Sequence, residues 1–124
     1  MTYLLDISTL VAWLVPAHAH NERVRQWVAG KKLAICPLTE LGFLRVAINA
    51  YHAKPEDARA SLKTFKEVIQ PQFLPADISA LDGEPFPSAR KSTDWYLANL
   101  AAKHGMKWGT LDVDARHPAA VLVA

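Results

Sequence analysis

The first fourteen residues restrict the fold more than any other stretch. Tyr3, Leu4 and Leu5 form an apolar run and Asp6 ends it. Ile7, Leu10, Val11 and Leu14 then recur at helical spacing until Pro16 stops the pattern. A buried strand that turns through one acid straight into a helix is the opening unit of an α/β sheet. In open sheets of that kind, ligands bind at the carboxyl ends of the strands. Asp6 stands at that end, where its carboxylate can face a cleft while Leu5 and Ile7 stay in the core.

The remaining chain keeps the alternation. Asn21 is expected to cap a second helix with Val24, Trp27 and Val28 on one face, and Gly30 stops it. Residues 33–36 read as a second buried strand. Pro37 leads into a third helix over 38–51. This helix is apolar nearly all round and so expected to be mostly buried, with Glu40, Arg45 and Asn49 as its exceptions. Pro55, Glu56 and Asp57 open a fourth helix, whose stripe is Ala58, Leu62, Phe65 and Ile69, with Lys63, Lys66 and Glu67 off it. A short third strand is expected over 72–75, and an irregular loop over 76–91 that closes with Arg90 and Lys91. Ser92 or Thr93 caps a fifth helix that Gly105 ends, with His104 favouring its C-terminal dipole. Strands follow over 107–111 and 120–123. No repeat or linker interrupts the chain, so 1–124 is expected to be one domain. The order predicts an α/β fold: a central, mainly parallel sheet of four to five strands, flanked by helices on both faces.

Composition excludes several classes. Hydrophobic residues at 51% and charged residues at 21% describe a globular chain rather than a disordered one. No apolar run reaches the roughly 18 residues of a membrane span, and no signal peptide is expected, since the first apolar stretch lacks a basic flank and is broken by Asp6. The expected location is therefore cytoplasmic, with no membrane partner. Cys36 is the only cysteine, which excludes an internal disulfide and a cysteine-based zinc site. The formal charge of +2 does not by itself announce nucleic acid. Several acids gathered in one site would leave the remaining surface more basic.

Four acids fall at such places. Asp6 follows the first strand, and Glu40 lies just after the second, in the opening turn of the third helix. Asp94 lies in the opening turn of the fifth helix. Asp112 follows the fourth strand, with Asp114 two residues on. All should lie at one end of the sheet. Two carboxylates about 5 Å apart repel by roughly 3 kcal/mol at an effective dielectric of 20, so a shared cleft must take up protons or a cation. Carboxylates without His or Cys suit Mg²⁺ or Mn²⁺, ions that activate water and stabilise charge on a phosphodiester.

Four segments carry a resemblance. They are Leu4-Leu5-Asp6 with Ser8, then Thr39 through Val46, then Thr93 through Ala101, and finally Gly109-Thr110-Leu111-Asp112. In this order the chain resembles the PIN-domain ribonucleases, and more narrowly the VapC-type toxins of bacterial toxin–antitoxin pairs. The resemblance implies a PIN-like three-layer sandwich and a metal-dependent endoribonuclease with Mg²⁺ or Mn²⁺ as cofactor. Asp6, Glu40, Asp94 and Asp112 match the family's acidic positions. It further implies Asp6 and Asp94 as the main metal ligands, with Asp112 and Glu40 binding through water or orienting it. Thr110 matches a hydroxyl position near the metal, and Ser8 is placed to bond Asp6 or a substrate phosphate. The expected partners are an RNA substrate, a cognate antitoxin and a second copy in a homodimer. The family often has an aromatic after the last acidic pair, whereas Ala115 and Arg116 stand here.

Plainer roles stand beside these. Glu40 and Asp94 also suit helix starts electrostatically, and Asp114 suits a turn. Arg45 either pairs with an acid or phosphate or extends from a buried helix to solvent. Arg90 and Lys91 either guide RNA or decorate a solvated loop, and Trp95 either stacks on a base or packs in the core. His18 and His20 form a metal-like pair without a carboxylate partner beyond Glu22. Two other functions compete. One is a PIN-like module that binds RNA or protein without cutting. The other is an aspartyl-phosphate phosphoryl-transfer domain, whose phosphatase form needs a second Asp where Ser8 stands.

Overall fold

The computed structural model describes all 124 residues. Five strands form one sheet: β1 (Thr2–Leu5), β2 (Lys32–Ile35), β3 (Gln72–Phe73), β4 (Lys107–Thr110) and β5 (Ala120–Leu122). Their order is β3-β2-β1-β4-β5, and every pairing is parallel. The helices are α1 (Ile7–Leu14), α2 (Asn21–Val28), α3 (Pro37–Ala50), α4 (Pro55–Ile69) and α5 (Ser92–Lys103).

Successive strand residues face opposite ways, and this divides the core. Leu5, Leu33 and Ile35 pack with Leu10, Val24, Phe43 and Leu62 of α1 to α4. Leu4, Ala34 and Trp108 pack on the other face with Leu97, Leu100 and Ala101 of α5. The result is the expected three-layer sandwich, with a sheet that is wholly rather than mainly parallel. The chain leaves β1 towards β2 and β3, then returns to the other side for β4 and β5. The crevice at the carboxyl ends of β1 and β4 is therefore the switch point at which such sheets bind ligands. Asp6 and Asp112 follow those two strands.

Three local expectations are corrected. The third helix is not mostly buried: it hides Thr39, Gly42, Phe43 and Ala47 but leaves Leu41 58% and Ile48 37% exposed. One face suffices to pack it on α1 and α4, so its apolar residues outnumber the space available. Asn21 does not cap its own helix. Its side-chain amide donates to Ala12 O at 2.9 Å and Trp13 O at 3.0 Å, closing the end of α1, and His20 holds the N-cap position. Neither Ser92 nor Thr93 caps α5. Lys91 occupies that position, and the Ser92 hydroxyl donates back to Ala89 O.

The expected strand over 72–75 ends at Phe73, so the irregular loop expected over 76–91 begins at 74, and it is tied down. Asn99, buried within α5, donates to Asp82 O and Glu84 O and accepts from Glu84 N–H at 2.9 Å. Those bonds orient its amide, so the His117 ring nitrogen at 2.7 Å is a donor to Asn99 Oδ1. The Tyr96 hydroxyl holds the same loop at Ile78 O.

Gly42 sets the approach of α3 to α1. A Cβ there would lie 2.2 Å from Ile7 Cδ1 and 2.5 Å from its Cγ1. Gly42→Ala is expected to cost about 1–3 kcal/mol, read as a lower midpoint in urea unfolding. An unchanged midpoint would show that the two helices separate freely.

Candidate active site

Asp6 is built into the end of β1. Its N–H extends the ladder to Gly109 O at 3.1 Å, and its carboxylate caps α1 by accepting the Thr9 N–H at 2.6 Å. Three buried threonines surround it. Thr39 donates to Leu5 O at 3.1 Å, which ties the start of α3 to the end of β1. Thr9 donates to Gly109 O at 3.3 Å. The Thr110 hydroxyl lowers the pKa of the Asp6 carboxyl and accepts the Asp112 N–H at 3.0 Å, so it stands between the two residues.

The electrostatics follow from burial. Asp6 is 3% exposed, and desolvation pushes its pKa up to about 6, against the pull of the threonine bonds and with a further push from Asp94. Asp94 is raised too, first by burial and then by Asp112, with Lys91 pulling the other way. Asp6, Asp94 and Asp112 thus act on one another in series at the switch point.

Glu40 is held apart. The Thr39 bond places it at the same end of the sheet, but its carboxylate accepts from Lys66 Nζ at 2.6 Å. Asp112 faces Lys91 Nζ at 3.5 Å and accepts the Asp114 N–H at 2.9 Å. Asp114 itself is exposed and serves the turn. With two acids engaged by lysines, no three acidic, histidine or cysteine side chains close on one point as a ligand cage.

Several expected roles are corrected. Ser8 is exposed, and the bond to Asp6 comes from the neighbouring Thr9 backbone instead. Arg45 is exposed and takes part in no salt bridge, because its position on α3 faces solvent rather than the cleft. Trp95 is 6% exposed, with its ring packed edge-on against Trp108 and His117, which removes it from base stacking. Arg90 is exposed beside Lys91. His18 and His20 lie together, their ring centroids 5.6 Å apart, and no carboxylate joins them. Lys66 was not foreseen, since its partners Glu40 and Phe73 lie on other elements. Asn99 was missed as well. A lone amide inside the run Leu97-Ala98-Asn99-Leu100-Ala101 was the available signal.

The donor set fits a hard divalent cation. The potential donors there are carboxylates and a threonine hydroxyl, and the lysines beside Glu40 and Asp112 leave Asp6 and Asp94 short of positive charge, as their upward shifts express. No soft ligand is present to favour another metal class.

No family model matches the chain. The chain is similar to three ribonucleases of Mycobacterium tuberculosis. It is 35% identical to VapC38 over 118 residues, covering 88% of this chain and 84% of the relative. It is 32% identical to VapC44 over 123 residues, covering 90% and 87%, and 31% identical to VapC39 over 124 residues, covering 90% and 89%. Among solved structures it is similar to VapBC2 from Rickettsia felis, crystallised bound to a DNA fragment from its promoter. That match has a TM-score of 0.64 and 15% identity over 98% of this chain and 97% of the other, a likeness of fold.

The raised Asp6 pKa has a stability consequence. The folded protein holds that proton up to about pH 6, while the unfolded chain releases it near 3.8. Between those values the folded state binds the extra proton, so stability falls as pH rises through the window and stays lowered above it. Asp6→Asn keeps a capping acceptor without the charge. In metal-free buffer at pH 7 it should be more stable by about 2–3 kcal/mol, and its urea midpoint should lose the slope between about pH 4 and 6. Equal midpoints for the two proteins at pH 7 would contradict a desolvated Asp6 carboxylate.

Proposed function

The chain belongs to the VapC family of ribonucleases, and on that premise we propose that it is an endoribonuclease toxin that hydrolyses RNA phosphodiester bonds with Mg²⁺ or Mn²⁺ and is silenced by a cognate antitoxin. The observation that supports this reading is electrostatic: burial and Asp94 raise the pKa of Asp6, and burial and Asp112 raise that of Asp94, at the ends of β1 and β4.

Asp6, Asp94 and Asp112 are the residues that would hold the cation. When bound, Mg²⁺ or Mn²⁺ supplies Lewis acidity towards water and towards the oxygens of the phosphodiester. Asp6 is oriented by its cap bond, so it enters the reaction with its direction already set. Glu40, at the same end of the sheet and paired there with Lys66, would bind the cation through water or orient that water. Thr9 and Thr39 hold the main chain around Asp6 in place through Gly109 O and Leu5 O. The exposed Ser8 is available to a phosphate, as is the exposed Arg90, which neighbours Lys91 at Asp112 on the loop before α5.

The homodimer belongs to the same proposal. The exposed Leu41, Ile48 and Tyr51 on and just after α3 supply an apolar face that supports it. A sheet that runs from residue 2 to residue 122 supports treating 1–124 as one domain. No helix is long and apolar enough to cross a membrane, in keeping with a cytoplasmic site of action.

Asp6→Asn and Asp94→Asn are each expected to lower RNA cleavage by about 100-fold or more, since loss even of an outer partner of a metal ligand costs about 10–100-fold. Cleavage by the native protein should stop in EDTA and return with Mn²⁺. Calorimetry should find Mn²⁺ binding in the native protein and none in the double variant. Full cleavage by Asp6→Asn would overturn the mechanism. RNA binding without cation-dependent cleavage would favour the non-catalytic module.

A further inference from the structure

Asn99 lies within α5 and is 5% exposed. Its amide uses its full capacity of two donors and two acceptor sites. Nδ2 donates to Asp82 O at 3.3 Å and to Glu84 O at 3.0 Å, while Oδ1 accepts the Glu84 N–H at 2.9 Å and the His117 Nε2–H at 2.7 Å. His117 is itself fixed, since its Nδ1 accepts the Ala119 N–H at 2.9 Å. One buried amide therefore joins α5, the loop over 74–91 and the connection from β4 to β5. Gly83 permits the approach: its φ is +76°, and a Cβ there would lie 2.5 Å from Asn99 Cγ. The loop has little else to hold it. No side chain from Pro75 to Arg90 is buried, and only Ile78 and Phe86 are half-buried. Hydrogen bonds to the main chain replace packing there, from Tyr96 to Ile78 and from Asn99 to Asp82 and Glu84.

From Glu84 the chain runs to α5 with φ fixed at Pro85 and Pro87. It brings Arg90 and Lys91 in just ahead of Asp94, in the first turn of that helix. Lys91 faces Asp112 at 3.5 Å. Arg90 is exposed and joins no salt bridge, so its guanidinium is free to take a phosphate. We propose that Asn99 is a positioning residue for RNA: by pinning Glu84 it holds the 74–91 loop so that Arg90 meets the phosphate backbone beside Lys91 and Asp112. This rests on the RNA-binding part of the reading above and adds what orders the loop that binds. A contact made from a segment already in place is spared the cost of ordering that segment on binding. Asn99 thus strengthens RNA binding without touching RNA, and Arg90 depends on it.

The test is a double-mutant cycle between Asn99→Ala and Arg90→Met, read by anisotropy of fluorescent single-stranded polyuridine RNA in EDTA. In the native background, Arg90→Met should weaken binding and lower the slope of log affinity against log salt by about 0.7, and Arg90→Lys should keep the slope. Asn99→Ala should weaken binding by about 3- to 10-fold, and Arg90→Met added to it should cost little more. Gly83→Ala displaces the loop while leaving Asn99 in place, so it should match Asn99→Ala, and it replaces that variant in the cycle if Asn99→Ala does not fold. Val24→Ala, in the core on the other face of the sheet, controls for lost stability and should bind RNA as the native protein does. Trypsin should cut after Arg90 about 10-fold faster in Asn99→Ala than in the native protein. Equal losses from Arg90→Met in both backgrounds would overturn the proposal and leave Asn99 a purely structural residue. Native binding that neither variant weakens, or no salt-dependent native binding, would overturn it as well. Those outcomes leave the nuclease reading to Mn²⁺-dependent cleavage by the native protein. Coupling without such cleavage keeps the positioning role and defeats the nuclease reading.

Discussion

Where β1 hands over to α1, a carboxylate with 3% of its residue surface exposed accepts a hydrogen bond from the backbone of Thr9, and the hydroxyl of Thr110 lowers its pKa. Much of the architecture depends on that arrangement. The bond to Thr9 starts α1, the main chain of Asp6 continues the ladder to β4, and Thr39 brings α3 onto the same strand end. A buried carboxylate is costly unless it is hydrogen-bonded or paired. Here the bonds offset only part of that cost, which is why the carboxyl group remains difficult to ionise.

That residual cost is the link between fold and chemistry. A domain needing only a helix cap at this place would be served as well by Asn or Ser. An acid that is buried and pushed by a second acid carries an electrostatic cost that a helix cap alone does not require. The lysines on Glu40 and Asp112 supply positive charge to the outer acids, and both remain part-exposed.

Around this centre the sequence was legible where local chemistry decides. Strand–acid–helix order, the prolines opening α3 and α4, and the apolar stripe of α4 all appeared in the structure as elements of the expected kind. It was less legible where a side chain has a choice of partners. Asn21 looked like a cap for its own helix and closes α1 instead, because two unpaired carbonyls of that helix lie within its reach. Trp95 looked available beside Asp94, yet successive helix residues point about 100° apart, so its neighbour faces the cleft while it faces Trp108. The apolar residues of α3 looked like core, but the number of packing neighbours is a property of the assembled layers.

The sequence by itself determined the alternation of strands and helices, the parallel sheet that alternation demands, and the positions of Asp6, Glu40, Asp94 and Asp112 at strand ends and helix starts. Those features depend on periodicity and on turn chemistry, which act over a few residues. Only the tertiary structure decided which acids share a field, that Thr110 stands between Asp6 and Asp112, that Lys66 crosses from α4 to Glu40, and that Asn99 and His117 secure the loop before α5. These are contacts between residues far apart in the chain. Their partners are set by how layers pack and how much water is excluded, and no local pattern in the sequence encodes either.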